Sequence, residues 1–126
     1  MSDKGTQLSY EASVEAQDGT SVSVVALDGE LDLAVLDVLE EALGAPADGA
    51  AGLVVDLSEL AFVDSAGIQA LVAARDALEE SGRPSAFVVV PGTNVEQILD
   101  MTGLLERLGS HPDRDAALAT VASAGR

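Results

Sequence analysis

Two short apolar runs constrain this chain more than any other feature. They are LVVDLS at residues 53–58 and AFVVVP at residues 86–91. Each is nearly continuous and β-branched, as befits a strand covered on both faces. Between them the pattern changes to a helical one. Ile68, Leu71, Val72 and Leu78 fall on one side, and Gln69, Asp76, Glu79 and Glu80 on the other. Gly82 and Pro84 stop that helix. Strand, amphipathic helix, strand is the signature of a right-handed crossover between parallel neighbours. The chain is thereby committed to an α/β fold.

The flanking segments extend the pattern. Leu8, Tyr10, Ala12, Val14 and Ala16 alternate with polar residues, as in a half-exposed strand. Asp18-Gly19 is a tight-turn pair, so TSVSVVAL returns as an antiparallel partner. After GELD comes a helical pattern with Leu36, Leu39 and Leu43 on one face, Asp32 suited to its N-cap and Gly44 at its end. APADGAAG reads as a loop. A short helix follows the second apolar run, with a capping box formed by Thr93 and Glu96 and a stop at Gly103. LLERLGS reads as a short edge strand, and an alanine-rich segment beginning near residue 113 as a last helix. The expected order is β-β-α-β-α-β-α-(β)-α. This is one small mixed sheet, an antiparallel hairpin followed by parallel strands, packed with about four helices. The expected domain spans residues 8–120, with 1–7 and 121–126 as flexible termini.

Length and composition fit one domain. Of 126 residues, 48% are hydrophobic, enough for a core, but only Tyr10, Phe62 and Phe87 are aromatic. No aromatic platform exists for stacking bases or sugars. Acids outnumber bases 22 to 6, a formal charge of -16, which disfavours phosphate backbones and anionic lipid surfaces. The charge either favours a partner with a basic surface or serves solubility alone, and neither nucleic acid nor membrane is an expected partner. With no cysteine, disulfides and thiolate chemistry are excluded. The N-terminus has no apolar core of a signal peptide, and no run is long enough to cross a bilayer, so a cytoplasmic location is expected.

Catalytic constellations are missing. Ser65 lies in VDSAG, which is not a nucleophile elbow, and the sole histidine, His111, is far along the chain. There is no metal-ligand spacing, no P-loop and no dinucleotide fingerprint, so neither an enzyme nor a cofactor is expected. Acid-dependent hydrolysis by Asp32 and Asp64 is the weakest alternative.

Polar groups in α/β folds gather where strands end and helices begin. Two acids fall at such junctions: Asp32 after GEL and Asp64 after AFV. Ser65 follows Asp64 and has two readings. It caps a helix, a role worth roughly 1 kcal/mol over Ala, or its hydroxyl is reached from outside. Gly67 likewise either clears space around that hydroxyl or packs against a neighbouring strand.

GELD, VVDLSELAFVDSAG and ILDMTGLLERL, in that order and at this length, resemble the STAS domain. More closely, the chain is similar to bacterial anti-sigma factor antagonists over residues 8–120. The resemblance implies a binding module that takes hold of an anti-sigma factor and so frees a sigma factor. It implies that this partner is also a Ser kinase acting on Ser65, and that a PP2C-type phosphatase reverses the modification. Asp32 matches a family position beside the site. The expected docking face comprises Asp32, Asp64, Ser65, Gly67, Ile68 and the helix start near Thr93. Ala66 departs from the second hydroxyl many relatives carry there. The alternative within the family is an unphosphorylated scaffold or ligand-sensing module.

Overall fold

A computed structural model describes residues 8–44 and 49–124. Five strands form one sheet in sequential order: β1 (Leu8–Gln17), β2 (Thr20–Leu31), β3 (Leu53–Val63), β4 (Ser85–Val88) and β5 (Ser110–His111). β1 and β2 are antiparallel; every later neighbour is parallel. Asp18 and Gly19 both take positive φ, 51° and 79°, the twist a two-residue hairpin demands.

The helices are α1 (Leu36–Leu43), α2 (Ser65–Glu80), α3 (Asn94–Met101), α4 (Leu105–Leu108) and α5 (Arg114–Ala124). Each crossover moves one strand along in the same direction. The right-handed rule therefore puts α1 to α4 on one face of the sheet. Val25, Leu27 and Leu31 of β2, Leu53, Val55 and Leu57 of β3, and Phe87 of β4 meet Leu39, Leu71, Val95, Leu99 and Leu108 there. Among the described residues only α5 covers the other face, where Ala117, Leu118, Val121 and Ala122 pack on Val22, Val24, Val54, Ala86 and Val88.

Three expectations change. LLERLGS is not an edge strand. Leu105–Leu108 form one helical turn whose Leu108 is buried, Gly109 ends it in the left-handed conformation at φ 67°, and only Ser110 and His111 pair with β4. The helices therefore number five among the described residues. The segment after residue 120 is not a loose tail, because α5 runs on to Ala124 and buries Val121 and Ala122. Residues 1–7, 125–126 and the first half of the APADGAAG loop, 45–48, lie outside the described residues.

The strand before the site is longer than its pattern suggests. ELAF is no link; β3 runs unbroken from Leu53 to Val63. Its pairing with β2 shifts between Ala26 and Asp28 and again between Gly29 and Glu30. Each irregularity absorbs one residue, so Leu57, Leu60 and Val63 all turn inward at a spacing of three rather than two. Gly29, at φ 108°, supplies a backbone conformation that other residues rarely adopt.

Candidate functional site

The register of β2 and β3 decides the site. Leu31 pairs with Val63, so the residues that follow, Asp32 and Asp64, leave the sheet side by side. The Asp64 amide donates to the Leu31 carbonyl at 3.1 Å. Asp64 Oδ1 accepts from the Gly67 amide at 2.8 Å, and Oδ2 accepts from the Leu33 amide at 3.4 Å. One carboxylate thus ties the start of α2 to the exit of β2. Asp32 Oδ1 accepts from the Ala34 amide at 3.0 Å and caps a short 3-10 turn, Leu33–Val35, that leads into α1.

Asp64, and not Ser65, is the cap of α2. Its backbone is extended (φ -98°, ψ -178°), whereas Ser65 is already the first helical residue. Asp64 takes the free amide a Ser cap would take. Ser65 is left exposed, with no hydrogen bond to its hydroxyl among the described residues. The Ser65 and Ala66 amides stand at the positive end of the α2 dipole.

Gly67 and Ile68 do not belong to the surface. Both are buried. A Cβ on Gly67 would come within 2.8 Å of Leu31 Cγ, the Leu31 carbonyl oxygen and Val63 Cγ2. Gly67 lets α2 settle onto the strand ends; it supports the turn from beneath instead of opening space around Ser65. Thr93 caps α3: its hydroxyl accepts from the Glu96 amide at 3.2 Å and donates to the Val90 carbonyl at 2.8 Å. The reciprocal half of the expected capping box is replaced, since the Thr93 amide donates to Val90 as well. The neighbouring Asn94 is the exposed residue there, and its amide donates to the Ala61 carbonyl at 3.2 Å.

Sequence reasoning missed two apolar residues at this edge. Leu33 is 71% exposed and Phe62 is 41% exposed. They flank the Asp64–Ser65 turn, one from each strand exit. A signal existed for Phe62, one of three aromatics. Leu33, three positions before Leu36, reads as a continuation of the α1 stripe and leaves it only because residues 33–35 form a 3-10 turn. The edge therefore offers an exposed hydroxyl, two carboxylates and two apolar side chains. That suits a protein interface, whose apolar anchors sit beside polar groups that fix register.

His111 is not poised for catalysis with Ser65. Its Nδ1 faces the Gly109 carbonyl at 3.0 Å and its Nε2 faces Thr120 Oγ1 at 2.9 Å. A carbonyl only accepts, so Nδ1 carries the proton and Nε2 accepts from Thr120. Among the described residues no group of His, Asp and Glu is arranged to hold a metal ion. Nor is any described helix long and apolar enough to cross a membrane.

A second charged cluster also escaped the sequence. Asp56 of β3 is 5% exposed. Its Oδ2 accepts from Arg114 Nε at 3.0 Å and Nη2 at 2.9 Å, and its Oδ1 from the Ser58 amide at 2.9 Å. Arg114 Nη1 donates to Glu15 at 2.7 Å. These hydrogen bonds, above all that to Asp56, raise the guanidinium above its ordinary value. The cluster joins β1, β3 and the start of α5, and is structural.

The site is thus the strand edge of an α/β module, with an aspartate-capped helix beside an exposed serine. The STAS domain family model matches residues 11–117, and the chain belongs to that family. An anti-sigma-F factor antagonist, RsfB of Mycobacterium tuberculosis, is 34% identical over 92 residues, 72% of this chain and 74% of the relative. The crystal structure of an anti-sigma factor antagonist from Mycobacterium paratuberculosis superposes with a TM-score of 0.71 at 34% identity, covering 90% of this chain and 94% of that one. The murine anion transporter Slc26a9 gives a TM-score of 0.69 at 21% identity, with 93% of this chain covering 22% of that one. That last likeness shows the fold alone, since one fold hosts unrelated tasks. Within the family this chain stands with the anti-sigma factor antagonists, which are regulatory binding proteins and not enzymes.

Proposed function

We propose that the chain antagonises an anti-sigma factor by binding it through the edge around Ser65, and that phosphorylation of Ser65 ends the binding. The partner is an anti-sigma factor with Ser kinase activity, whose capture frees a sigma factor. A PP2C-type phosphatase restores the binding form. The observation that carries this reading is the exposed, unengaged hydroxyl of Ser65 at the first position of an aspartate-capped helix. The similarity to named antagonists supports the partner class.

The chain is substrate, not catalyst, in the modification. The Ser65 oxygen forms a bond to the γ-phosphorus of ATP, ADP departs, and the hydroxyl proton passes to a base on the kinase. The phosphate adds about -1.5 to -2 of charge. It arrives beside the Asp64 carboxylate, which already occupies the Gly67 amide. Only part of the helix end remains to receive it. No described arginine waits to neutralise it there. Arg75 and Arg107 pair with acids of α2, Arg114 with Asp56, and Arg83 points to the Ala50 carbonyl. On a surface a partner must cover, such uncompensated charge costs several kcal/mol. At 1.4 kcal/mol per decade, 2 to 3 kcal/mol lowers affinity about 30- to 150-fold.

Titration calorimetry against the cognate anti-sigma factor checks this. Ser65→Ala is expected to bind as the unmodified chain does and Ser65→Asp about 30-fold or more weaker. Equal affinities for the two variants overturn the switch, and no binding by any form overturns the antagonist role. Intact mass after incubation with the partner and ATP is expected to show one phosphoryl group, absent from Ser65→Ala.

A further inference from the structure

α1 and α2 run side by side on one face of the sheet without closing on each other. Leu39 and Leu43 of α1 and Ala70, Ala74 and Ala77 of α2 wall an apolar groove of about 540 Å³. Its origin is simple: the alanines recur at helical spacing on α2, and their side chains are too short to reach α1. The volume lies inside the range of about 300–1,000 Å³ common to small-molecule sites.

Arg83 stands at one end of this groove, just past the C-terminus of α2. It differs from every other described arginine. Arg75 meets Glu79 at 2.8 Å, Arg107 meets Asp76 at 3.0 Å and Arg114 meets Asp56 at 2.9 Å. Arg83 is half-buried and has no carboxylate partner among the described residues; its one hydrogen bond is a long one, 3.5 Å to the Ala50 carbonyl. Among the described arginines, in a chain of charge -16, it is the one without an acid partner in that same described set. Its planar fork matches a carboxylate. Glu40, the carboxylate on the α1 wall, is exposed and sits one turn before the Arg83 end.

We propose that this groove binds a medium-chain fatty carboxylate, its chain between α1 and α2 and its headgroup on Arg83. The site lies outside the Ser65 edge and is a function additional to anti-sigma factor binding, so the outcome of either test leaves the other standing. Occupancy would press on the body of the helix whose first residue is Ser65.

Calorimetry of the full chain with sodium octanoate, decanoate and dodecanoate, each below its micelle concentration, tests the proposal. Saturable one-to-one binding is expected, tightening about fourfold per added methylene. Arg83→Gln is expected to weaken decanoate about tenfold while leaving decanol unchanged. Ala77→Leu, at an exposed position on the groove wall, is expected to abolish both by filling the space. Amide shifts on decanoate binding are expected along residues 39–43 and 70–78. Absence of saturable binding overturns the proposal. So does decanoate binding that Arg83→Gln or Ala77→Leu leaves intact, since it would then be adventitious and lie elsewhere.

Discussion

Two aspartates of one chain segment, Asp56 and Asp64, meet opposite fates. Asp56 lies within β3, nearly sealed from solvent, and is held by the Arg114 guanidinium and the Ser58 amide. Asp64 lies one residue past the end of the same strand and is held by backbone amides alone, those of Gly67 and Leu33. A carboxylate inside a sheet face requires a cation, since burial penalises its charge. A carboxylate at a strand exit finds helix and turn amides ready-made. The first arrangement locks β1, β3 and α5 together. The second orders a turn yet leaves the adjacent hydroxyl open. A sealed, cation-held carboxylate and an amide-held one beside an exposed hydroxyl are thus separated by eight positions of the chain.

That contrast is broken most severely by Arg114→Leu, which leaves the Asp56 carboxylate buried without a cation. Loss of one partner of a buried pair costs about 3–5 kcal/mol. Arg114 is itself 37% exposed, so water screens part of this. About 2 kcal/mol is expected from the urea midpoint. Gly67→Ala comes next. Its methyl group would press on the Leu31 carbonyl and on Val63, and overpacking costs about 1–3 kcal/mol. The better helix propensity of Ala returns up to about 1 kcal/mol. A net loss of about 1 kcal/mol is expected in the same titration, against a gain if the position were open. Asp64→Ala removes the cap of α2 and is expected to cost about 1 kcal/mol. Ser65→Ala, one residue on, is expected to stay within about 0.5 kcal/mol of the unmodified chain, as at other exposed positions. If the two exchanged magnitudes, Ser65 and not Asp64 would be the working cap.

Much of this was legible in the residues. The Asp18-Gly19 turn and the helical stripes of α1 and α2 sit where their local patterns place them, because backbone preference and period act over a few residues, whereas of the run at 86–91 only the part up to Val88 is strand. Legibility failed where packing interrupts the period. β3 reads as a short strand plus a link because two irregularities put Leu57, Leu60 and Val63 three apart. Leu104, Leu105 and Leu108 read as an edge strand, although their spacing also fits one helical turn, and the core beneath α2 takes the helical solution. Gly67 and Ile68 looked like neighbours of Ser65 on a surface. A helix start turns successive residues by about 100°, so two of the three that follow Ser65 point into the strands.

The order of elements, the α/β class and the acid–serine junction can be read from the residues without coordinates, since each depends on contacts between residues close in the chain. Tertiary structure alone decided that Asp32 stands beside Asp64, that Arg114 reaches Asp56 across 58 positions, and that Ser65 is exposed while Gly67 is not. Those facts depend on strand register and on which face each crossover covers. Both are settled by the summed burial of the whole core, which no local pattern encodes.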